Sequence, residues 1–180
     1  LADAAAKGRA GVGILSRTPL ADVEIGFGSF TDAGRWIAAT TRDIRVASLY
    51  LPSGSSGPER QASKDRFLAF FEPRLQAMAH EGREYVLCGD WNIAHQNIDL
   101  KNWRSNQKNS GFLPHEREWM TAHLASGLTD CHRECLGVEA EYTWWSNRGN
   151  AYANNVGWRI DSLLASGVQV RNVCVDSPEL

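Results

Sequence analysis

The 180-residue sequence has no apolar run that approaches the length of a membrane span. Its start, LADAAAKGRAG, has the pattern of neither a signal peptide nor a transit peptide. It also lacks a dominant charge: the formal net charge is −2, so bulk electrostatics do not single out nucleic acid as a partner. They do not exclude it either, because the distribution of charge over the surface decides. Cysteine is sparse, at four residues: Cys88, Cys131, Cys135 and Cys174. Cys88 lies in an apolar run, where a reduced thiol behaves as a small hydrophobe. The Cys131-His132-x-x-Cys135 spacing has no matching second half, which argues against a metal site there. A reduced, cytoplasmic protein is expected. There is no internal repeat, low-complexity tract or linker. There is also no initiator Met, and VCVDSPEL stops just after an expected strand, so an excerpt from a longer chain is expected.

What is present suits one soluble globular domain over residues 1–180, with 43% hydrophobic and 22% charged residues. Three β-rich runs open the chain, AGVGILS (10–16), RWIAATT (35–41) and IRVASLY (44–50), the last two forming a hairpin around a tight polar turn. A Gly/Ser/Pro loop (51–60) leads to a helix of about five turns with Phe67, Phe70, Phe71, Leu75 and Met78 on one face. YVLC (85–88) reads as a strand buried on both faces. After a polar loop, Pro114, Glu116 and Glu118 open a second helix that Gly127 closes. YTWW (142–145), GWRIDSLLAS (157–166) and VQVRNVCV (168–175) are further strand candidates. The implied architecture is a layered α/β sandwich, with two β-sheets inside and helices outside.

Chemistry concentrates at strand ends. Glu84 to Trp103 reads EYVLCGDWNIAHQNIDLKNW, an apolar strand ending in Gly89, Asp90 and Asn92. If the extended conformation persists, Asp90 and Asn92 share a face while Trp91 and Ile93 point into packing. A carboxylate can bind a divalent metal or take a proton from water, and an amide can donate to a phosphate oxygen without adding charge. Taken alone, the pair reads first as a turn cap. Two more polar strand ends, Tyr50 and Asp161, make one shared site the simpler reading, with Leu163, Leu164 and Ala165 beyond Asp161 as core. LKNWRSNQKNSGF (100–112) carries Lys101, Arg104 and Lys108 with no acid among them, plus Asn102, Asn106 and Asn109, and so suits phosphate contacts or a solvated loop. Trp144, Trp145 and Trp158 lie near Arg148 and Arg159 and can wall a sugar pocket or fill the core.

GDWNIAHQNIDL, NQKNSGFLPHEREW, YTWWSNR and NNVGWRIDSLLAS, in that order, resemble exonuclease III and the related abasic-site endonucleases of the endonuclease/exonuclease/phosphatase superfamily. Tyr50-Leu51-Pro52-Ser53 resembles the family's Y-x-P-[NS] segment, and the likeness runs from about Gly11 to Val175. It implies a DNase I-like four-layered α/β sandwich of two packed mixed sheets flanked by helices, incomplete at both termini. It further implies that Asp90 activates the attacking water and that Asn92 stabilises the phosphate and touches metal. Tyr50 would lie near the phosphate, and Asp161 would orient a catalytic histidine. Trp144 and Trp158 would line a pocket for an extruded abasic sugar. Asn106 and Asn109 would contact the DNA backbone, helped by Ser53, Lys101, Arg104 and Lys108.

The implied activity is Mg²⁺-dependent cleavage of DNA 5′ to abasic sites, together with 3′-to-5′ exonuclease action on duplex DNA. Mn²⁺ is the alternative metal, a monomer is expected, and for a bacterial source the location would be the cytoplasm, at the nucleoid. The family's principal metal-binding glutamate would fall before Leu1, and its S-D-H motif after VDSPEL. The rival expectations are another phosphoesterase of the same fold and a catalytically impaired DNA-binding fragment.

Overall fold

The computed structural model describes residues 1–5 and 10–175. In chain order the elements are β1 (Ala2–Asp3), β2 (Gly11–Val12), β3 (Ala21–Ile25), β4 (Trp36–Thr41), β5 (Ile44–Tyr50), α1 (Pro58–His80) and β6 (Tyr85–Asp90). They continue with α2 (Trp103–Asn106), α3 (Pro114–Ala125), β7 (Thr129–Asp130), α4 (Cys131–Leu136), β8 (Trp144–Trp145), β9 (Gly157–Trp158) and β10 (Asp161–Ser166).

A six-stranded mixed sheet in the order β3-β4-β5-β6-β10-β7 is the frame. The β4–β5 hairpin forms where the alternating runs predict it, with Thr41 opposite Ile44. Arg42 and Asp43 both take positive φ, 47° and 70°. That geometry gives a two-residue turn the twist the flanking strands need. β5 and β6 run parallel, which requires a crossover, and α1 supplies it. The two strands approach closely at Gly89: a Cβ there would stand 1.9 Å from the Leu49 carbonyl oxygen, so no side chain fits before Asp90.

One face of the sheet packs on helices. Trp36, Ala38, Ala47, Leu49, Leu87 and Leu164 meet Phe67, Phe71 and Leu75 of α1 and Met120 of α3. Each such large apolar side chain stabilises the fold by roughly 1.5–3 kcal/mol on burial. On the opposite face Ile37 and Tyr50 meet Ala2, Val12 and Ile14 around the β1–β2 ribbon. The layered α/β class is the one expected, although in place of two large packed sheets the described residues form this six-stranded sheet and two two-stranded ribbons, β1–β2 and β8–β9.

Several local expectations are corrected. α1 has 23 residues, about six turns, and Phe70 is 43% exposed because it turns off the buried stripe to stack on Phe27. Val86 and Cys88 are half-buried and Leu163 is 38% exposed. These residues share the face opposite the helices, where cover is thinner, so β6 is not buried on both sides and Leu163 is not core. The first run keeps only Gly11–Val12 as strand and YTWW keeps only Trp144–Trp145. Residues 168–175 form no strand. Gly167, at φ 69°, turns the chain away from a sheet in which β10 already has β6 and β7 as neighbours. GWRID is interrupted at Arg159 and Ile160, because Arg159 is drawn into buried ion pairs described below.

Candidate active site

Directly paired residues on adjacent strands point to the same side of a sheet. Tyr50 pairs with Asp90 across the parallel β5–β6 ladder, and Asp90 pairs with Asp161 across the antiparallel β6–β10 ladder. The three polar strand ends recognised in the sequence therefore stand side by side as one row at one end of the sheet.

Asn92 joins them by a different route from the one expected. β6 ends at Asp90 and Asn92 takes φ 49°, so a turn, not strand alternation, brings the amide back beside the carboxylate. Trp91 and Ile93 are buried, as anticipated. The Asn92 main-chain N–H donates to Asp90 Oδ1 at 2.8 Å. Its Nδ2 donates to Asp90 Oδ2 at 3.0 Å and to the Leu51 carbonyl at 2.8 Å. Both partners of Nδ2 are acceptors, which fixes the amide orientation and uses both of its hydrogens. The free atom is Oδ1, an acceptor. In this arrangement Asn92 offers oxygen to a cation or a water and does not donate to phosphate.

Burial pushes the Asp90 carboxyl up to about 6, and the neighbouring Asp161 charge adds to the rise against the Asn92 N–H and Lys64. Burial also raises Asp161, with hydrogen bonding from Thr143 opposing it. Arg35 lies over the Tyr50 ring at 4.8 Å and donates Nη1 to the Tyr50 carbonyl at 3.1 Å. Burial lowers its guanidinium, while Tyr50 acts the other way.

Tyr50, Asp90 and Asn92 open on a cleft of about 820 Å³. One wall carries Ser53, Pro58 and Gln61; another carries Lys108, Asn109 and Leu113; Trp144 and Trp158 complete it. The two tryptophans are direct partners across β8 and β9. Trp144 is 45% exposed, whereas Trp145 packs on Tyr142 and Tyr152. Asn106 stands behind Asn109, accepting from its Nδ2 at 2.8 Å. Lys101 and Arg104 are exposed on the approach to Lys108, outside the cleft lining. Asp161 adjoins Asp90 but faces a neighbouring hollow with His132 and Thr143.

Arg159, which the sequence places beside the pocket tryptophans, is structural. It pairs with Asp99 Oδ1 at 2.9 Å and Asp130 Oδ2 at 2.8 Å, all three being buried. Burial pushes the Asp99 carboxyl up, but Arg159 and Arg133 outweigh it and hold it below the ordinary range. The sequence reading missed Arg35, Gln61 and Lys64. It took Glu116 as a helix-opening acid, although the residue is fully buried. The signal for Glu116 was its place three residues after Leu113, where a glutamate caps its own helix start; Leu113 N does donate to it at 3.1 Å.

One carboxylate and one amide oxygen facing a cleft fit a hard cation such as Mg²⁺, which takes few protein ligands and completes its shell with water and phosphate. Among the described residues no cluster of three or more His, Cys, Asp or Glu is assembled to hold a metal alone.

Residues 3–180 match the family described as Endonuclease/Exonuclease/phosphatase. The DNA repair nuclease APEX1 of Danio rerio is 37% identical over 171 residues, 93% of this chain and 55% of that protein. The exodeoxyribonuclease of Bacillus subtilis (strain 168) is 35% identical over 165 residues, 89% of this chain and 64% of that protein. Among solved structures, the 3′ phosphatase NExo from Neisseria, bound to product DNA hairpin, superposes with a TM-score of 0.76 at 31% identity. That match covers 84% of this chain and 60% of the other. The chain thus spans a little over half to nearly two-thirds of the length of these proteins.

Proposed function

Because the chain belongs to the endonuclease/exonuclease/phosphatase family and has its DNase I-like α/β fold, we propose that its cleft hydrolyses DNA phosphodiesters. The substrates are abasic sites in duplex DNA, cut on their 5′ side, and duplex 3′ ends, shortened 3′ to 5′. The observation that carries this reading is the Tyr50–Asp90 pair, with Asn92 folded back onto Asp90 and Asp161 next in the row, the first three opening on a cleft beside an exposed indole and Lys108.

Asp90 is the general base. A carboxyl poised near 6 is mostly ionised at neutral pH yet basic enough to accept a proton from water. Asn92 holds that carboxylate by both oxygens, so the lone pairs left toward the cleft have a fixed direction. Tyr50, backed by the Arg35 guanidinium, is placed to hold a non-bridging phosphate oxygen as charge builds. Lys108 and Asn109 meet the flanking backbone on one wall, with Lys101 and Arg104 extending the positive approach. Trp144 and Trp158 select by fit, since a residue without a base has less stacking to lose when it leaves the duplex. Mg²⁺ held by Asp90 and Asn92 Oδ1 would supply charge neutralisation at the scissile phosphate.

The test is incubation of the protein with an abasic duplex, a blunt duplex and a soluble inositol phosphate, with Mg²⁺ or with EDTA. Mg²⁺-dependent incision leaving a 3′-hydroxyl is expected. Hydrolysis of the inositol phosphate with both duplexes left intact would overturn the DNA assignment.

A further inference from the structure

Lys64 sits in the second turn of α1 and Glu116 in the first turn of α3, and both side chains have 0% exposure. A buried ion pair seldom stabilises a fold more than apolar residues of the same volume would. What these atoms hold is therefore the more informative observation. Lys64 Nζ donates to Glu116 Oε1 at 2.7 Å and to the main-chain carbonyl of Asn92 at 2.8 Å. Glu116 Oε2 accepts from Gly111 N at 2.7 Å and Leu113 N at 3.1 Å. One buried pair thus ties the turn after β6 to the loop that forms the facing wall of the cleft.

Asn92 depends on such a tie. Its left-handed backbone is uncommon for any residue but glycine, although asparagine tolerates it best. In that conformation the side chain turns toward the cleft and grips Asp90, while the carbonyl turns inward. The carbonyl enters a slot between Lys64 Nζ and Gly111, where a Cβ would stand only 3.0 Å from the carbonyl oxygen. A carbonyl buried there without a donor would be driven to rotate out, and the amide would leave Asp90 with it.

We propose that Lys64 is a positioning residue for hydrolysis: through the Asn92 carbonyl it locks the turn that sets the Asn92 amide on Asp90, and through Glu116 it couples that turn to the 109–113 wall. The catalytic meaning of this role rests on the phosphodiesterase reading above; the structural coupling does not.

The experiment follows solvent exchange of the Asn92 side-chain amide protons by NMR in wild type, E116Q and K64M/E116Q. The glutamine in E116Q keeps an acceptor for Gly111 N, gives up the bond from Gln61 Nε2, and leaves Lys64 as a neutral amine, the form burial already favours, which accepts from the new amide and still donates to the Asn92 carbonyl. The methionine in K64M fills the stem volume without a donor, and combining it with E116Q avoids a lone buried carboxylate. Exchange is expected to be at least tenfold faster in K64M/E116Q and within threefold of wild type in E116Q, with main-chain amides of β4 and β5 unchanged in both. Unchanged Asn92 exchange in K64M/E116Q would overturn the proposal. So would an equal loss of protection in β4 and β5, because Lys64 would then support the fold and not the turn. On an abasic duplex, K64M/E116Q is expected to lose at least tenfold in kcat with KM within twofold. The exchange readout needs no turnover, so it stands or fails separately from the nuclease assignment.

Discussion

Asp90→Asn should remove activity and yet stabilise the protein, and the stabilisation should depend on pH. Burial and Asp161 move the Asp90 carboxyl from 3.8 to about 6. That displacement of about 2, at about 1.36 kcal/mol for each unit, is about 3 kcal/mol. The folded state binds this proton more tightly than the unfolded chain does. The associated stability is therefore fully present below pH 3.8, declines through about 6, and is absent above it. Asparagine cannot ionise and escapes that loss. It does, however, forfeit the 3.0 Å bond from Asn92 Nδ2, which costs about 1 kcal/mol. With some discount for the partly open position of Asp90, the substitution should gain about 1–2 kcal/mol at pH 8 and lose about 1 kcal/mol at pH 4. Urea unfolding of both proteins in EDTA at the two pH values measures this without any divalent cation. Turnover on an abasic duplex should fall by about 100-fold or more, the usual contribution of a general base. A destabilised Asp90→Asn protein at pH 8, or the same difference at both pH values, would refute the environment assigned to Asp90.

Three further outcomes follow from the geometry. Replacing Lys101, Arg104 and Lys108 together by alanine should weaken duplex binding and reduce the slope of log K against log salt by about 2–3, read from titrations at several ionic strengths. Arg159→Met leaves Asp99 and Asp130 buried without their shared cation, so unfolding at pH 7 should become easier by about 3–5 kcal/mol. Because Arg159 helps hold the Asp99 carboxyl down, the same change should flatten the acid limb of stability, where wild type loses this support as the pH falls below 3.8. Trp144→Ala should cost less than about 1 kcal/mol of stability, as the ring is 45% exposed. It should nonetheless reduce the preference for an abasic over an intact duplex, measured as a ratio of kcat/KM values.

How far the sequence could be read depended on how local each determinant was. The β4–β5 hairpin is specified by alternating residues and a two-residue turn, and its strands were bounded to within a residue. YVLCGDWN showed where a strand ends, because an apolar run closed by Gly carries that information within itself, whereas one shared site became the simpler reading of Asp90 and Asn92 only beside Tyr50 and Asp161. The shape of the turn was not legible. Alternation predicts a shared face for Asp90 and Asn92, but the left-handed Asn92 that achieves the meeting depends on Lys64, 28 residues away in the chain. VQVRNVCV has strand composition, yet β10 already has a neighbour on each side. A run that directly follows β10 therefore cannot pair back onto it.

By itself the sequence determined the α/β class, the principal helices and the residue types at the polar strand ends, because periodicity, turn chemistry and composition act over a few neighbouring residues. Only the tertiary structure decided that Tyr50, Asp90 and Asp161 form one row, since strand order and register set which ends lie together. It alone decided that Glu116 and Lys64 are buried partners while Lys108 faces the cleft. A charged side chain looks the same in sequence whether it meets water, DNA or a buried counter-charge. The difference lies in desolvation and in the distance to the opposite charge, and both are fixed only when the chain has folded.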